Sequence, residues 1–263
     1  MDRLFKQSAP SAHEIVFLFR EYLTASGLAP ASVNRHLATL RSLSKLGRML
    51  GAVAWQLEVP GVKPEKRRST AGPALDVIRR MLAATAGDTE AETRDRAIVT
   101  VFACMGLRAG ELCSLDLADL DRTARSAWIR GKGRRERELV PLPEPVIEAI
   151  DAYLTHRGAS AGPLFRALRQ REKTGRLTTR SVLRIVRELG QRVGAHVWCH
   201  GLRHTAITTA IERGQRAGIG LDQIRTFSRH RSIATMLIYR DEHDRTTTQR
   251  TLTDVVANAV SEG

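Results

Sequence analysis

The sequence predicts a mainly α-helical protein with one small antiparallel β-sheet, an α+β chain in two parts: a small helical N-terminal domain and a larger domain that holds the sheet. Three observations carry this prediction. Apolar residues recur at three- and four-residue spacing along most of the 263 residues, which is the period of a helix with one buried face. One stretch, 126–142, instead reads as two short strands about a Gly-rich turn. Residues 59–72 concentrate two prolines, two glycines and four cations, the chemistry of a linker.

Residues 13–25 and 31–50, parted by Gly27 and Pro30, read as two helices joined by a turn. In the second, Val33, Leu37, Leu40, Leu43 and Leu46 form the expected core stripe. Arg35, Arg41, Lys45 and Arg48 lie off it, either as a solvated face or as contacts to phosphates. The expected boundaries are a first domain over 1–60, a basic linker over 61–72 with Lys63, Lys66, Arg67 and Arg68, and a second domain over 73–263. A domain of about 60 residues is near the lower edge of what folds alone, so the first is expected to lean on a partner or on the larger domain. Beyond the linker, helices are predicted over 74–86, 93–105, 108–116, 144–156, 178–193, 200–213, 221–228, 232–240 and 247–260. The hairpin joins 126–130 to 137–142 and carries Lys132 at its tip, between Gly131 and Gly133.

Charge narrows the function classes. With 42 Lys+Arg against 28 Asp+Glu the chain carries +14, which points to a polyanionic partner, nucleic acid ahead of a membrane surface or of a soluble chain that merely has a basic face. An aromatic content of 5% leaves few rings for stacking on single-stranded bases, so double-stranded DNA is the expected partner. Only 6 of the cations are Lys, which makes each lysine more informative. No window approaches the roughly 18 apolar residues of a membrane span, and the first twelve residues show no secretory h-region. Cys104, Cys113 and Cys199 lack CxxC spacing, which argues against a disulfide framework and a four-thiolate zinc site. A reducing cytoplasm is the expected location.

Several local signals carry chemistry. Gly106-Leu107-Arg108-Ala109-Gly110-Glu111-Leu112 sets an arginine between glycines, with Glu111 one turn on to hold the guanidinium. Lys132 at a glycine-flanked tip has the reach of a ligand-binding group, although an exposed turn lysine is ordinary. His200 and Arg203, three apart, share a helix face as a phosphate clamp would. His196, His200 and His204 recur every four residues, as paired metal ligands on a helix do. No Glu follows the first as in HExxH, and His196 precedes the helix start, so no metal is expected. His204 reads as structural. His230 precedes a helix that Ser232 caps, and Tyr239 lies near its end.

In order, Arg108, Lys132, His200, Arg203, His230 and Tyr239 give Arg, Lys, His-x-x-Arg, His, Tyr. Around them stand Arg94-Asp-Arg-Ala-Ile, Gly-Leu-Arg-x-Gly-Glu-Leu, Gly-Lys-Gly followed by Val140-Pro-Leu, Gly162-Pro-Leu-Phe and His-Gly-Leu-Arg-His-Thr. This text, over about 74–240, resembles the tyrosine recombinase (phage integrase) family, of the Xer/integrase kind. The N-terminal Ala31-Ser-Val-Asn-Arg-His-Leu-Ala-Thr-Leu-Arg resembles the second half of that family's core-binding domain, without a leading helical portion. Where members usually have Leu-Gly-His, this chain has Ser228-Arg229-His230.

The resemblance implies a DNA-binding first domain and a catalytic second one. It implies that Arg108, Arg203, His200, His230 and Lys132 surround a scissile DNA phosphate that Tyr239 attacks, with Glu111 supporting Arg108. The expected activity is site-specific recombination, by cleavage and religation through a 3′-phosphotyrosyl intermediate, for integration, excision or resolution of DNA. The other reading is a catalytically inactive DNA-binding relative that assists a recombinase. A homo-oligomer is implied, a tetramer on two DNA sites, with accessory DNA-bending proteins as further partners and helix 247–260 docking on a neighbouring protomer. Neither cofactor nor metal is expected, because side-chain cations supply the charge that Mg²⁺ supplies in many nucleases.

Overall fold

The computed structural model describes residues 6–63, 72–131, 136–168, 175–229 and 253, and the chain divides into two compact units, Met1–Arg68 and Ser69–Gly263. Among the described residues no helix is long and apolar enough to cross a membrane.

The first unit holds α1 (Ala9–Ala25) and α2 (Pro30–Met49). Ser8 starts α1 by accepting the Ser11 N–H on its hydroxyl, with Pro10 in the first turn, and Pro30 opens α2; a proline there loses no helical hydrogen bond. Ala12, Val16 and Leu23 of α1 pack with Val33 and Leu37 of α2 and with Leu57 and Val59. The expected stripe on α2 is only partly right. Leu46 is 49% exposed, and Ser44 and Gly47 are buried instead. The chain returns along this face, where the Leu57 N–H donates to Ser44 Oγ at 3.1 Å, and small side chains leave room for that approach. Asn34 then grips Val62 at both its N–H and its carbonyl, at 2.8 and 2.9 Å. Arg35, Lys45, Arg48 and Lys63 are exposed, whereas Arg41 is half-buried and donates through Nε to the Leu37 carbonyl.

The second unit runs α3 (Leu75–Ala83), α4 (Glu90–Met105), α5 (Ala109–Ser114), a 3₁₀ turn (Leu117–Asp119), β1 (Leu120–Asp121), β2 (Ser126–Arg130), β3 (Arg137–Pro141), α6 (Glu144–Arg157), α7 (Thr179–Arg192), α8 (Cys199–Arg216) and α9 (Leu221–Ser228). Helix α4 is the central element, packed against α3, α6 and α8 and buried continuously from Ala97 to Phe102. It starts three residues before the sequence reading because Thr89 and Glu92 cap it reciprocally, the threonine hydroxyl accepting the Glu92 N–H and the carboxylate accepting the Thr89 N–H. Helix α7 buries Val182, Ile185, Val186 and Leu189, the i, i+3, i+4, i+7 stripe of an amphipathic helix. The predicted helices over 232–240 and 247–260 lie outside the described residues, apart from Thr253.

The sheet is antiparallel in the order β1-β2-β3. The hairpin has the expected strands, with Ser126 opposite Pro141 and Arg130 opposite Arg137. Strand β1, two residues long, pairs Leu120 with Ala127 and is too short to show an alternation in sequence. At the end of α6, the buried Arg157 donates to the carbonyls of Gly158, Ser160, Pro163 and Leu164. Leu164 in turn donates its N–H to the Leu115 carbonyl at 2.8 Å. The Gly162-Pro-Leu-Phe segment thus fastens the C-terminal end of α5 to α6, and α5 is the helix that Arg108 opens.

Candidate active site

Helix α4 ends at Gly106, whose φ of 54° lies in the left-handed region that a glycine enters without steric cost. The turn points Leu107 into the core, fully buried, and makes Arg108 the residue before α5. Glu111, one turn on, is almost wholly buried and accepts twice from Arg108. Its Oε2 takes the backbone N–H at 2.8 Å and its Oε1 takes Nη1 at 2.7 Å. The expected Arg108–Glu111 pairing is therefore present.

The first turn of α8 supplies His200 and Arg203. His200 is exposed, while Arg203 is 1% exposed and donates from Nη1 to the Gly106 carbonyl and from Nη2 to the Ser228 carbonyl. These acceptors stand at the C-terminal ends of α4 and α9, where aligned peptide dipoles leave partial negative charge that favours a guanidinium. Burying this arginine is tolerable because carbonyls meet its donors.

Arg108, His200 and Arg203 line one cleft of about 830 Å³, together with Leu107, Leu183, Trp198 and the exposed Arg180 at the start of α7. Trp198 precedes α8, lies 5.5 Å from the His196 ring and covers Gly201, where a Cβ would sit 3.0 Å from the indole. Glycine in His-Gly-Leu-Arg is thus the seat of the Trp198 ring. Cys199 also faces the cleft, but burial pushes its thiol up to about 12, with Cys113 adding to the shift, so it carries little nucleophilic thiolate at neutral pH.

His204 is buried, with Nδ1 3.3 Å from Thr208 Oγ1, and His196 stands before the helix on the tryptophan. Among the described residues no group of three or more His, Cys, Asp and Glu gathers where it could hold a metal ion. Lys132, His230 and Tyr239, like the linker cations Lys66, Arg67 and Arg68, lie outside the described residues.

One buried arginine escaped the sequence reading. Arg229 follows α9 with φ of 51°, its side chain 5% exposed, and donates from Nη2 to Glu111 Oε2 and to the Gly106 carbonyl, both at 3.3 Å. Burial pushes the Glu111 carboxyl up, but the Arg108 N–H, the Arg229 charge and the Arg108 guanidinium outweigh it and hold the group below the usual glutamate range. Trp198 and Arg180 were also missed as cleft residues. The signal for the first was a tryptophan two residues before His200, and for Arg229 it was the departure from Leu-Gly-His.

A sequence model of the phage integrase family matches residues 74–246. A tyrosine recombinase of Synechocystis sp. is 30% identical over 249 residues, covering 93% of this chain and 78% of its own length. The tyrosine recombinase XerD of Mycobacterium tuberculosis is 31% identical over 230 residues, covering 81% and 70%. Among solved structures, XerA recombinase aligns over 93% of both chains at 25% identity with a TM-score of 0.55. XerH recombinase bound to a palindromic difH substrate aligns over 91% of this chain and 72% of its own with a TM-score of 0.69 at 16% identity, a likeness of fold. The chain belongs to the phage integrase family, whose class is the tyrosine-type site-specific recombinase.

Proposed function

We propose that this chain recombines duplex DNA at specific sites, cutting and rejoining strands through a 3′-phosphotyrosyl link on Tyr239, in integration, excision or resolution. The observation that carries the reading is the convergence of Arg108, His200 and Arg203, from α5 and α8, on one cleft. The +14 charge supports a polyanionic substrate, and the tyrosine recombinase relatives support the chemistry.

The Tyr239 hydroxyl gives up its proton to solvent as its oxygen attacks the scissile phosphorus, and the bond to the 5′ oxygen breaks. Planar guanidinium forks of Arg108 and Arg203 match the non-bridging oxygens, where negative charge grows in the transition state. His200 and His230 add donors. Lys132 gives its proton to the departing 5′ oxygen as general acid. Attack by a 5′ hydroxyl of the partner strand then reverses the step, expels the phenolate, whose acid has a pKa near 10, and reseals the backbone without an external energy source. Four copies on two sites would carry out both exchanges, with helix 247–260 linking neighbours and DNA-bending proteins assisting. Lys63, Lys66, Arg67, Arg68, Arg35, Arg41 and Lys45 would contact backbone phosphates.

The test is adduct capture. The protein is incubated with nicked duplexes of randomised sequence, which trap the cleaved state, and denatured complexes are sequenced and digested. A covalent species carrying phosphotyrosine at Tyr239, absent from Tyr239→Phe, is expected. Absence of adduct from every sequence would leave the inactive DNA-binding reading in its place.

A further inference from the structure

Arg229 stands where several features of the second unit meet. Its side chain is 5% exposed, and its Nη2 lies 3.3 Å from both Glu111 Oε2 and the Gly106 carbonyl. Each acceptor already serves a cleft arginine: Glu111 holds Arg108, and the Gly106 carbonyl receives Arg203. Three guanidiniums from α5, α8 and the end of α9 thus share one carboxylate and one carbonyl. The left-handed backbone of Arg229 is a conformation that glycine takes freely and an L side chain enters at a cost. The side chain is therefore held there against a local backbone preference, and what it touches is the support of the cleft rather than the cleft itself.

We propose that Arg229 is a positioning residue for catalysis, its guanidinium tying Glu111 to the Gly106 carbonyl so that Arg108 and Arg203 present one fixed geometry to the phosphate. The inference rests on the proposed placement of the scissile phosphate at these arginines. Like charges crowd here, and without Arg229 the buried carboxylate keeps only Arg108 as a cationic partner. Arg108, still 35% exposed along its side chain, then has a less firmly held anchor. Misplacement of a charge-stabilising group by about 1 Å is enough to slow a reaction on the order of 100-fold. A residue acting in this way alters the chemical step and leaves DNA affinity alone, because it touches no phosphate.

The test uses the full-length protein and the nicked duplex that traps adduct, at saturating DNA, with Arg229→Gly, Arg229→Lys and Arg108→Ala. Arg229→Gly suits the left-handed turn but takes one of two cationic partners from the buried Glu111, which keeps Arg108, so its melting temperature should fall by less than that of Glu111→Ala. Its adduct formation should nonetheless slow by about 10- to 100-fold with DNA affinity retained. The acid limb of its rate profile should also move to higher pH. Glu111 faces Arg108 from the N-terminal side of α5 and Arg229 from the end of α9, and Arg229 also faces Glu138 of β3; removing Arg229 lets Glu111 take up a proton earlier and release Arg108. Arg229→Lys keeps the charge but not the fork, so its acid limb should stay near that of the parent while the rate recovers in part. A parental rate and pH profile in Arg229→Gly overturns the inference, as does a rate loss that only tracks a lowered melting temperature with the acid limb unmoved. If Arg108→Ala forms adduct at the parental rate, the placement of the phosphate is what fails.

Discussion

Glu111 binds Arg108 at two points, taking the backbone N–H at 2.8 Å and the guanidinium at 2.7 Å. One carboxylate thereby fixes where the arginine leaves the chain and where its charged end lies. A single-point contact would leave the side chain free to swing about its own backbone.

Glu111→Ala should be strongly destabilising, because it leaves the buried Arg229 guanidinium without its carboxylate. Breaking a buried pair from one side costs about 3–5 kcal/mol. Glu111→Gln keeps an acceptor oxygen and should cost less, about 1–3 kcal/mol. Urea unfolding of both variants measures this, and equal losses would mean that charge contributes nothing at this position.

The same group sets an acid dependence. Its folded carboxyl lies below the usual glutamate range, so its contribution is fully present above the unfolded value of about 4.3 and is lost as pH falls through the lower, folded value. The stability gap between the parent and Glu111→Gln should stay constant from neutral pH to about 5 and close as pH falls through the lower, folded value. Unfolding curves across that range decide it, and a gap that widened in acid would reverse the sign.

Lys132→Ala should slow cleavage of ordinary DNA by roughly 10² to 10⁴. Replacing the bridging 5′ oxygen by sulfur gives a leaving thiolate that needs no proton, so the variant should recover on that substrate. Arg108→Ala and Arg203→Ala should remain slow on both, since they lose charge stabilisation. Rescue of His200→Ala or His230→Ala in place of Lys132→Ala would move the proton to a histidine.

DNA binding should weaken steeply with salt, with a log–log slope growing by about 0.9 for each phosphate neutralised. Neutralising Lys63, Lys66, Arg67 and Arg68 together should flatten the slope and weaken all sequences alike. Titrations at several salt concentrations, on specific and unrelated duplexes, measure both effects. A loss confined to one sequence would show base contacts instead.

What was legible in the sequence was what covalent neighbours determine. Gly106, Arg108 and Glu111 lie within six residues, so their turn, helix start and ion pair follow from local geometry. The α7 stripe likewise shows in its spacing. Leu46 misled because its exposure depends on where residues 55–59 return, and that return is written at Ser44 and Gly47 as small size. Arg229 was marked by the departure from Leu-Gly-His, but its role was not legible for a similar reason: its partner Glu111 is 118 residues away, and a left-handed turn, not a helical period, aims it there. Strand β1 has two residues, too few for any periodicity to appear.

The bond from Arg203 to the Gly106 carbonyl also orders events during synthesis. It spans 97 residues, and the companion bond to Ser228 reaches 25 residues further along the chain. Contacts of such separation form only after the intervening chain has collapsed. A nascent polypeptide therefore has Arg108 and Glu111 in place long before it owns the second arginine, and it lacks that arginine's outer anchor until α9 has left the ribosome. A protein whose work is to break DNA gains from this arrangement: a fragment released by stalled translation before Ser228 carries no finished pair of arginines.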